Sequence, residues 1–166
     1  IHLLEKILDR AKQAQVDAVI ASDIATIQKA RERNLSVHIS TQLSISNIEG
    51  VKFYAQFAEV IVLARELTYG QLKKICDQIR QQNITSPGGN LVEIEIFAHG
   101  AMCVAISGTC SMSLATFHAS ANRGSCFQNC RRTYRVFDEV YQEELVLDNK
   151  YIMSPKDLCT ISFLDQ

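Results

Sequence analysis

The strongest constraint on the fold is an alternation of helical and strand patterns over the first 100 residues. Short apolar runs rich in Val and Ile begin near residues 16, 37, 60 and 93, and their length and composition predict buried strands. The stretches between and before these runs have apolar residues at helical spacing. Helices that alternate with strands in this way predict right-handed βα units around a parallel sheet.

Two of the predicted helices have recognisable capping residues. Asp23 directly precedes the second helical stretch, and Asp is a favoured N-cap. The pattern Thr68-x-x-Gln71 resembles a capping box and predicts a helix that runs to about residue 82. Both helices follow a predicted strand, as the βα order requires.

The predicted βα units fit either an open doubly wound sheet or part of a (β/α)₈ barrel. No glycine-rich turn follows any predicted strand, which disfavours the dinucleotide-binding form of the open sheet. A complete barrel typically needs about 250 residues, whereas this chain has 166. We therefore expect an α/β fold in which residues 1–100 form about half of a TIM-type barrel. Residues 101–166 are expected to continue the same domain as a cysteine-rich segment with a short hairpin.

Composition and charge restrict the class of protein. Apolar residues make up 47% of the chain and its net charge is −1, so it has an ordinary globular composition without a general attraction to nucleic acid or membranes. No apolar run reaches the roughly 18 residues of a membrane span, and no signal peptide is visible. We expect a cytoplasmic protein. The absence of an initial Met fits an excised fragment better than it fits trimming of the chain.

Polar residues directly follow the predicted strands. In either architecture, ligands bind at the carboxyl ends of parallel strands. Helix capping and turn formation are the ordinary alternative for these positions. The candidates are Asp23, Thr41, Gln42, Arg65, Glu66, His99 and Gly100.

Five of the six cysteines fall in the last 64 residues, with the spacing Cys103-x6-Cys110-x15-Cys126-x3-Cys130-x28-Cys159. Four thiolates can hold a zinc ion or a 4Fe-4S cluster. Only the third and fourth cysteines have the spacing of a zinc knuckle, so an iron–sulfur cluster fits at least as well as zinc. The alternative is a set of buried free thiols. Spacing does not show which cysteine is spare.

The sixth cysteine, Cys76, lies on an apolar helix face beside Leu72 and Ile75. Free cysteines are among the most buried residue types. We expect Cys76 to be a buried structural thiol.

A basic segment with aromatic residues surrounds the third and fourth clustered cysteines. Such a segment can bind RNA phosphates and stack a base, or it can offset the negative charge of thiolates. A solvated basic surface is the simplest alternative. The residues are Arg123, Phe127, Arg131, Arg132, Tyr134 and Arg135.

Hydrolytic machinery has little support in the sequence. His99 with a nearby cysteine suggests a Cys–His nucleophile pair. However, Ser107 lacks the G-x-S-x-G frame of a nucleophile elbow, and no H-E-x-x-H motif is present.

Residues 95–113 have the pattern E-x-F-x-H-G-A-x-C-x-x-x-S-G-x-C-x-x-S. Residues 123–131 contain G-x-C-x-x-x-C-R, residues 154–159 read S-P-K-D-L-C, and residues 63–67 read L-A-R-E-L. Together these elements resemble the collagenase-like peptidase family U-32. The resemblance spans nearly the whole chain.

This resemblance implies a cofactor and its ligands. Some members of the family carry a 4Fe-4S cluster, and their ligand positions match Cys103, Cys110, Cys126 and Cys159. Cys130 is then the spare cysteine.

The resemblance also implies two activities. The first is RNA base hydroxylation, closest to the members that convert the wobble uridine of transfer RNA to 5-hydroxyuridine and use prephenate as a ligand related to the hydroxyl donor. The second is peptide hydrolysis of the collagenase type, and a scaffold domain is a third reading. The expected catalytic residues are Arg65, Glu66 and His99. The residues expected to bind an RNA phosphate or a carboxylate cofactor are Gln42, Arg131, Arg132 and Arg135.

Overall fold

The computed structural model describes residues 2–145, 152–154 and 156–163. The chain divides into two compact units, which we call the first unit (Ile1–Ile96) and the second unit (Phe97–Gln166). No described helix combines the length and the apolar character that crossing a bilayer requires.

The first unit alternates helices and strands as the sequence predicts. Its four strands form one parallel sheet in the order β1-β2-β3-β4. The strands are three residues long, which is shorter than the apolar runs from which they were predicted, and β1 begins at Val19 rather than near residue 16. The elements are α1 (His2–Gln13), β1 (Val19–Ala21), α2 (Ile24–Arg31), β2 (Val37–Ile39), α3 (Ile48–Ala55), β3 (Val60–Val62), α4 (Tyr69–Gln81) and β4 (Glu93–Glu95).

The helices of the first unit pack on one face of the sheet. Ala21, Ile39, Ile61 and Ile94 are neighbours in register across the four strands and belong to one apolar core. The helices contribute the buried residues of that core listed here: Leu8, Ile27, Ala30, Val51, Ala55, Ile75 and Ile79. This packing buries part of the apolar stripe of each helix: in α1, Leu8 is buried, whereas Leu3 and Ile7 are 71% and 55% exposed.

The opposite face of the sheet has a different character. Ile20, His38, Val60 and Glu93 are also neighbours in register. Ile20 is 65% exposed, Glu93 is exposed, and the other two are half-buried. A doubly wound sheet carries helices on both faces, whereas a barrel carries them only outside. The one-sided arrangement is therefore consistent with part of a barrel.

Capping side chains start three of these helices. The Asp23 carboxylate accepts a hydrogen bond from the Thr26 backbone N–H at 2.9 Å, and the Asn47 side chain accepts one from Gly50 at 2.9 Å. Thr68 and Gln71 form the predicted capping box at the start of α4. These side chains satisfy backbone donors that the first turn of a helix leaves unpaired.

The second unit is built from shorter elements. They are β5 (His99–Gly100), α5 (Met112–Phe117), β6 (Val136–Asp138), β7 (Glu143–Leu145) and β8 (Leu158–Cys159). β6 and β7 pair antiparallel, which confirms the predicted hairpin, and β5 pairs antiparallel with β8. The predicted hairpin extends to residue 147, and residues 146 and 147 lie outside the described part of the chain.

Leu158 and Cys159 form a strand that was not predicted from the sequence. They pair with Gly100 and His99, respectively. A helical turn (Ile161–Phe163) follows only afterwards. The pairing partner lies about 60 residues away in sequence, so local pattern did not reveal it.

Candidate functional site

Two turns at the carboxyl ends of β2 and β3 lie against each other. The Thr41 hydroxyl donates a hydrogen bond to the Leu63 carbonyl at 3.3 Å, and the Ala64 N–H donates to the Ile45 carbonyl at 2.9 Å. Thr41 is 9% exposed. The buried Thr41 hydroxyl therefore joins the turn after β2 to the chain that follows β3.

The predicted site residues of the first unit occupy these turns. Gln42 is half-buried in a short helical turn (Thr41–Leu43), and its N–H donates to the Ser40 hydroxyl at 3.3 Å. Arg65 is half-buried and Glu66 is exposed just after β3. The structure thus brings the turn of Gln42 next to the chain that leads to Arg65 and Glu66.

Asp23, at the carboxyl end of β1, has a structural role. Hydrogen bonds from the Thr26 hydroxyl and then from the Thr26 backbone lower the pKa of the Asp23 carboxyl below its ordinary value. Both bonds belong to the helix cap. Asp23 is therefore a helix-capping residue, which was the alternative to a ligand-binding role at this position.

His99 lies in the second unit, where it is exposed on β5. Its partner in register across the β5–β8 pair is Cys159. The structure therefore places a predicted catalytic residue next to a predicted metal ligand.

The predicted metal ligands all lie in the second unit. Cys103 and Cys110 are half-buried, whereas Cys126 and Cys159 are exposed. The Cys110 sulfur accepts a hydrogen bond from the Met112 N–H at 3.4 Å. Within residues 2–145, 152–154 and 156–163, no group of three or more His, Cys, Asp or Glu side chains is placed to hold a metal ion. The donor set is therefore present in the sequence but not assembled, and the ligand assignment stays a prediction.

Cys76 lies on α4 of the first unit. It lines a surface pocket of about 350 Å³ together with Arg80 and Glu93. Burial raises the pKa of the Cys76 thiol, so less of it is the reactive thiolate at neutral pH.

The arginines of the basic segment have different partners. Arg131 forms an ion pair with Asp157, and Arg135 forms one with Glu144 across the β6–β7 hairpin. The Arg132 guanidinium lies 4.8 Å from the centre of the Phe117 ring. Two of the three predicted anion-binding arginines thus have carboxylate partners within the protein.

The loop that contains Phe127 is attached to α5 by polar side chains. The Ser113 hydroxyl accepts a hydrogen bond from the Phe127 N–H at 3.0 Å, and the Asn129 amide donates to the Thr116 hydroxyl at 3.1 Å. Ser113 and Asn129 are 2% and 5% exposed. The Phe127 ring itself contacts the Phe117 ring, with 5.1 Å between centroids.

Sequence reasoning missed Phe117, Ser113 and Asn129. Ser113 is the last residue of the long pattern at residues 95–113, so that pattern held a signal. Asn129 lies between two clustered cysteines, where a buried polar residue has a reason only once the contact with α5 is known. Nothing in the local pattern marked Phe117.

Comparison with known proteins decides the family. The sequence profile described as peptidase family U32 matches residues 1–166. The chain belongs to peptidase family U32. No solved structure matches the chain significantly.

Family relatives have names of two kinds. The chain is 51% identical to a Porphyromonas gingivalis protein named collagenase, over 100% of this chain and 40% of that protein. It is 34% identical to the tRNA hydroxylation protein P1 of Bacillus subtilis, over 93% of this chain and 36% of the relative. It is 36% identical to a 23S rRNA 5-hydroxycytidine synthase of Escherichia coli, over 92% of this chain and 21% of the relative. The chain therefore spans less than half the length of these U32 relatives.

Proposed function

We propose that this U32 chain is part of an enzyme that hydroxylates a pyrimidine base in RNA, and specifically the wobble uridine of transfer RNA to 5-hydroxyuridine. The observation that carries the proposal is the alignment with two proteins named for RNA hydroxylation, which covers 93% and 92% of the chain. Such an enzyme works where RNA is made and used, so we propose a cytoplasmic location.

Cys103, Cys110, Cys126 and Cys159 are proposed to bind a 4Fe-4S cluster, with zinc as the alternative. The support is chemical: thiolates are the ligands of such clusters, and five free cysteines lie in one unit. Because the described residues do not assemble a metal site, no reaction step is assigned to the cluster. Binding it requires these thiols to come together.

The remaining proposed roles belong to polar residues at strand ends and in the basic segment. Arg65, Glu66 and His99 are proposed as catalytic residues, and Gln42 as a residue that orients the substrate or cofactor. Prephenate carries carboxylates, and arginine is the side chain that binds carboxylates best. RNA phosphates are the other anionic ligand of these arginines. Among the three, Arg132 is the strongest candidate for binding an anion, a carboxylate or an RNA phosphate, because Arg131 and Arg135 pair with Asp157 and Glu144.

Peptide hydrolysis is the second candidate function. It is favoured by the 51% identity to a protein named collagenase, which is higher than the identity to either RNA-hydroxylation relative. A hydrolase of this kind needs an activated nucleophile.

Analysis of modified nucleosides tests the proposal. Transfer and ribosomal RNA from a deletion strain are digested and compared by mass spectrometry with RNA from the parent strain. We expect 5-hydroxyuridine in transfer RNA to disappear on deletion and to return when the full-length gene is restored. In a separate assay, the purified full-length protein is incubated with gelatin and with collagen. Unchanged RNA nucleosides together with cleavage of these substrates would favour the peptidase instead.

A further inference from the structure

The second unit presents an exposed aromatic surface made of Phe117, Phe127 and Arg132, which we call the Phe117–Phe127 surface. The two rings are 41% and 52% exposed. They contact each other at 5.1 Å with a 45° tilt, and the Arg132 guanidinium lies 4.8 Å from the Phe117 ring centre. Covering exposed aromatic rings removes apolar surface from water, which is favourable. A flat group that stacks on the two rings would cover them most completely.

Buried hydrogen bonds hold this surface in place. Ser113, which is 2% exposed, accepts the Phe127 N–H, and Asn129, which is 5% exposed, donates to Thr116 on α5. The Tyr134 hydroxyl donates to the Asn129 carbonyl. Gln128 between them has a left-handed backbone with φ 52°, a conformation that costs energy in a non-glycine residue. The loop therefore presents the Phe127 ring in a fixed position relative to α5.

The charge around the surface selects the partner. Residues 96–137 contain four arginines and no Asp or Glu. Two of these arginines, Arg131 and Arg135, pair with carboxylates from later in the chain. Arg132 instead lies beside the aromatic rings, and Arg123 lies in the same segment. A ligand that complements this surface has a flat aromatic face and a negative charge near it.

We propose that the Phe117–Phe127 surface stacks an unpaired base of single-stranded RNA, with Arg132 binding the adjacent phosphate. Proteins recognise unpaired bases by stacking them on aromatic side chains and on arginine guanidinium planes. This inference rests on the proposed function, and it deepens that function by naming the surface that holds the RNA. An acidic peptide is the competing partner, but its backbone and its acidic side chains carry no aromatic ring that could stack on the two phenylalanines.

RNA binding by the full-length protein, purified without oxygen, tests the surface. The probe is a single-stranded RNA with the sequence of an anticodon loop, in which one base is replaced by the fluorescent base 2-aminopurine. Stacking quenches its fluorescence. We expect Phe127→Leu, which keeps apolar bulk but removes the aromatic face, to weaken binding roughly tenfold and to abolish the quenching. Phe127→Tyr should retain both.

Phe53→Leu is the matched control, because Phe53 is a 49% exposed phenylalanine of the first unit. It should leave RNA affinity unchanged. Equal affinity and equal quenching for wild type and Phe127→Leu would overturn the inference, as would displacement of the RNA by an acidic peptide at the same concentration. Thermal unfolding of each variant shows that a loss of binding does not come from a loss of folding.

The two proposals fail in different ways. If deletion removes the modified nucleoside and the Phe127→Leu gene restores it fully, with wild-type RNA affinity, the stacking surface is refuted and the proposed function stands. If deletion leaves the RNA nucleosides unchanged and the wild-type protein does not bind the probe, the proposed function fails and the stacking surface fails with it.

Discussion

The two units of this U32 chain differ in the polarity of their buried side chains. Within the described residues, every buried hydrophobic side chain lies between Leu8 and Val92, in the first unit. The fully described buried positions of the second unit are all polar: Ser107, Ser113, Asn129, Ser154 and Thr160. Both units expose large apolar side chains, such as Leu3 at 71% in the first unit and Val140 at 82% in the second.

This difference shows that the units are stabilised by different forces. Burial of apolar surface is the dominant favourable term in folding, and the first unit has it. Hydrogen bonds contribute only about 1 kcal/mol each, so the polar contacts of the second unit are a weak source of stability. Small units of this kind are commonly stabilised by a metal centre or by contact with further chain. The five cysteines of the second unit fit the first of these solutions.

The largest expected effect is in the apolar core of the first unit. Ile61→Ala removes a fully buried side chain of β3 and should lower the free energy of unfolding by about 2–5 kcal/mol. Ile20→Ala is the matched control, because Ile20 lies in the same sheet but is 65% exposed on the other face. It should change stability by less than about 0.5 kcal/mol. Chemical denaturation measures both, and equal losses would show that the sheet is not one-sided.

A smaller effect is expected from the polar interior of the second unit. Asn129→Ala removes the hydrogen bonds to the Met112 carbonyl and the Thr116 hydroxyl, and it also removes a buried amide oxygen that has no partner among the described residues. These changes partly offset, so we expect a loss of about 1 kcal/mol. Hydrogen exchange should show it in α5 and not in α1–α4. Asn122 is exposed, so Asn122→Ala should have no effect. Faster exchange in the first unit of Asn129→Ala would contradict the view that the two units are stabilised separately.

The cap of α2 should give an effect of similar or smaller size with a defined pH dependence. Asp23→Ala should cost about 1 kcal/mol, whereas Asp23→Asn keeps a good cap. The folded pKa of Asp23 is lowered, so its ionised form adds stability above the unfolded pKa of about 3.9, and this contribution is lost as pH falls through the folded value. Denaturation between pH 7 and pH 2 should show that the stability difference between wild type and Asp23→Asn shrinks in acid. A difference independent of pH would contradict the assignment.

The smallest effect is expected at the β6–β7 hairpin. The hydrogen bonds from Arg135 lower the pKa of the Glu144 carboxyl, but both side chains are at the surface and water screens the pair. Glu144→Gln should leave thermal unfolding unchanged within error at ordinary salt. A clear loss of stability that persists in high salt would show that this ion pair is a stabilising contact of the second unit.

The first unit was more predictable from sequence than the second, for a physical reason. Its strands and helices are local patterns of apolar residues, and its caps, such as Thr68 with Gln71, are contacts within one turn. The contacts of the second unit join distant residues: Cys159 pairs with His99, and Arg132 lies on Phe117. Short elements held by polar contacts leave no periodic signal. The β6–β7 hairpin was predictable because its strands are adjacent in sequence.

The predicted site divides in the same way. The turns of Gln42 and Arg65 follow directly from the strand order, since the carboxyl ends of neighbouring parallel strands meet at one edge of the sheet. The arginine partners did not follow, because Asp157 and Glu144 are separated from Arg131 and Arg135 in sequence. Cysteine spacing identifies a donor set, but spacing alone does not assemble it in space.

The proposal that most needs a test is that Cys103, Cys110, Cys126 and Cys159 of the second unit bind a 4Fe-4S cluster. Iron and acid-labile sulfide in full-length protein purified without oxygen measure this directly. We expect about four of each per chain, lost in Cys110→Ser and retained in Cys76→Ser, whose thiol lies on α4 of the first unit. Protein that binds stoichiometric zinc and no iron, or that keeps its iron in Cys110→Ser, would contradict the account.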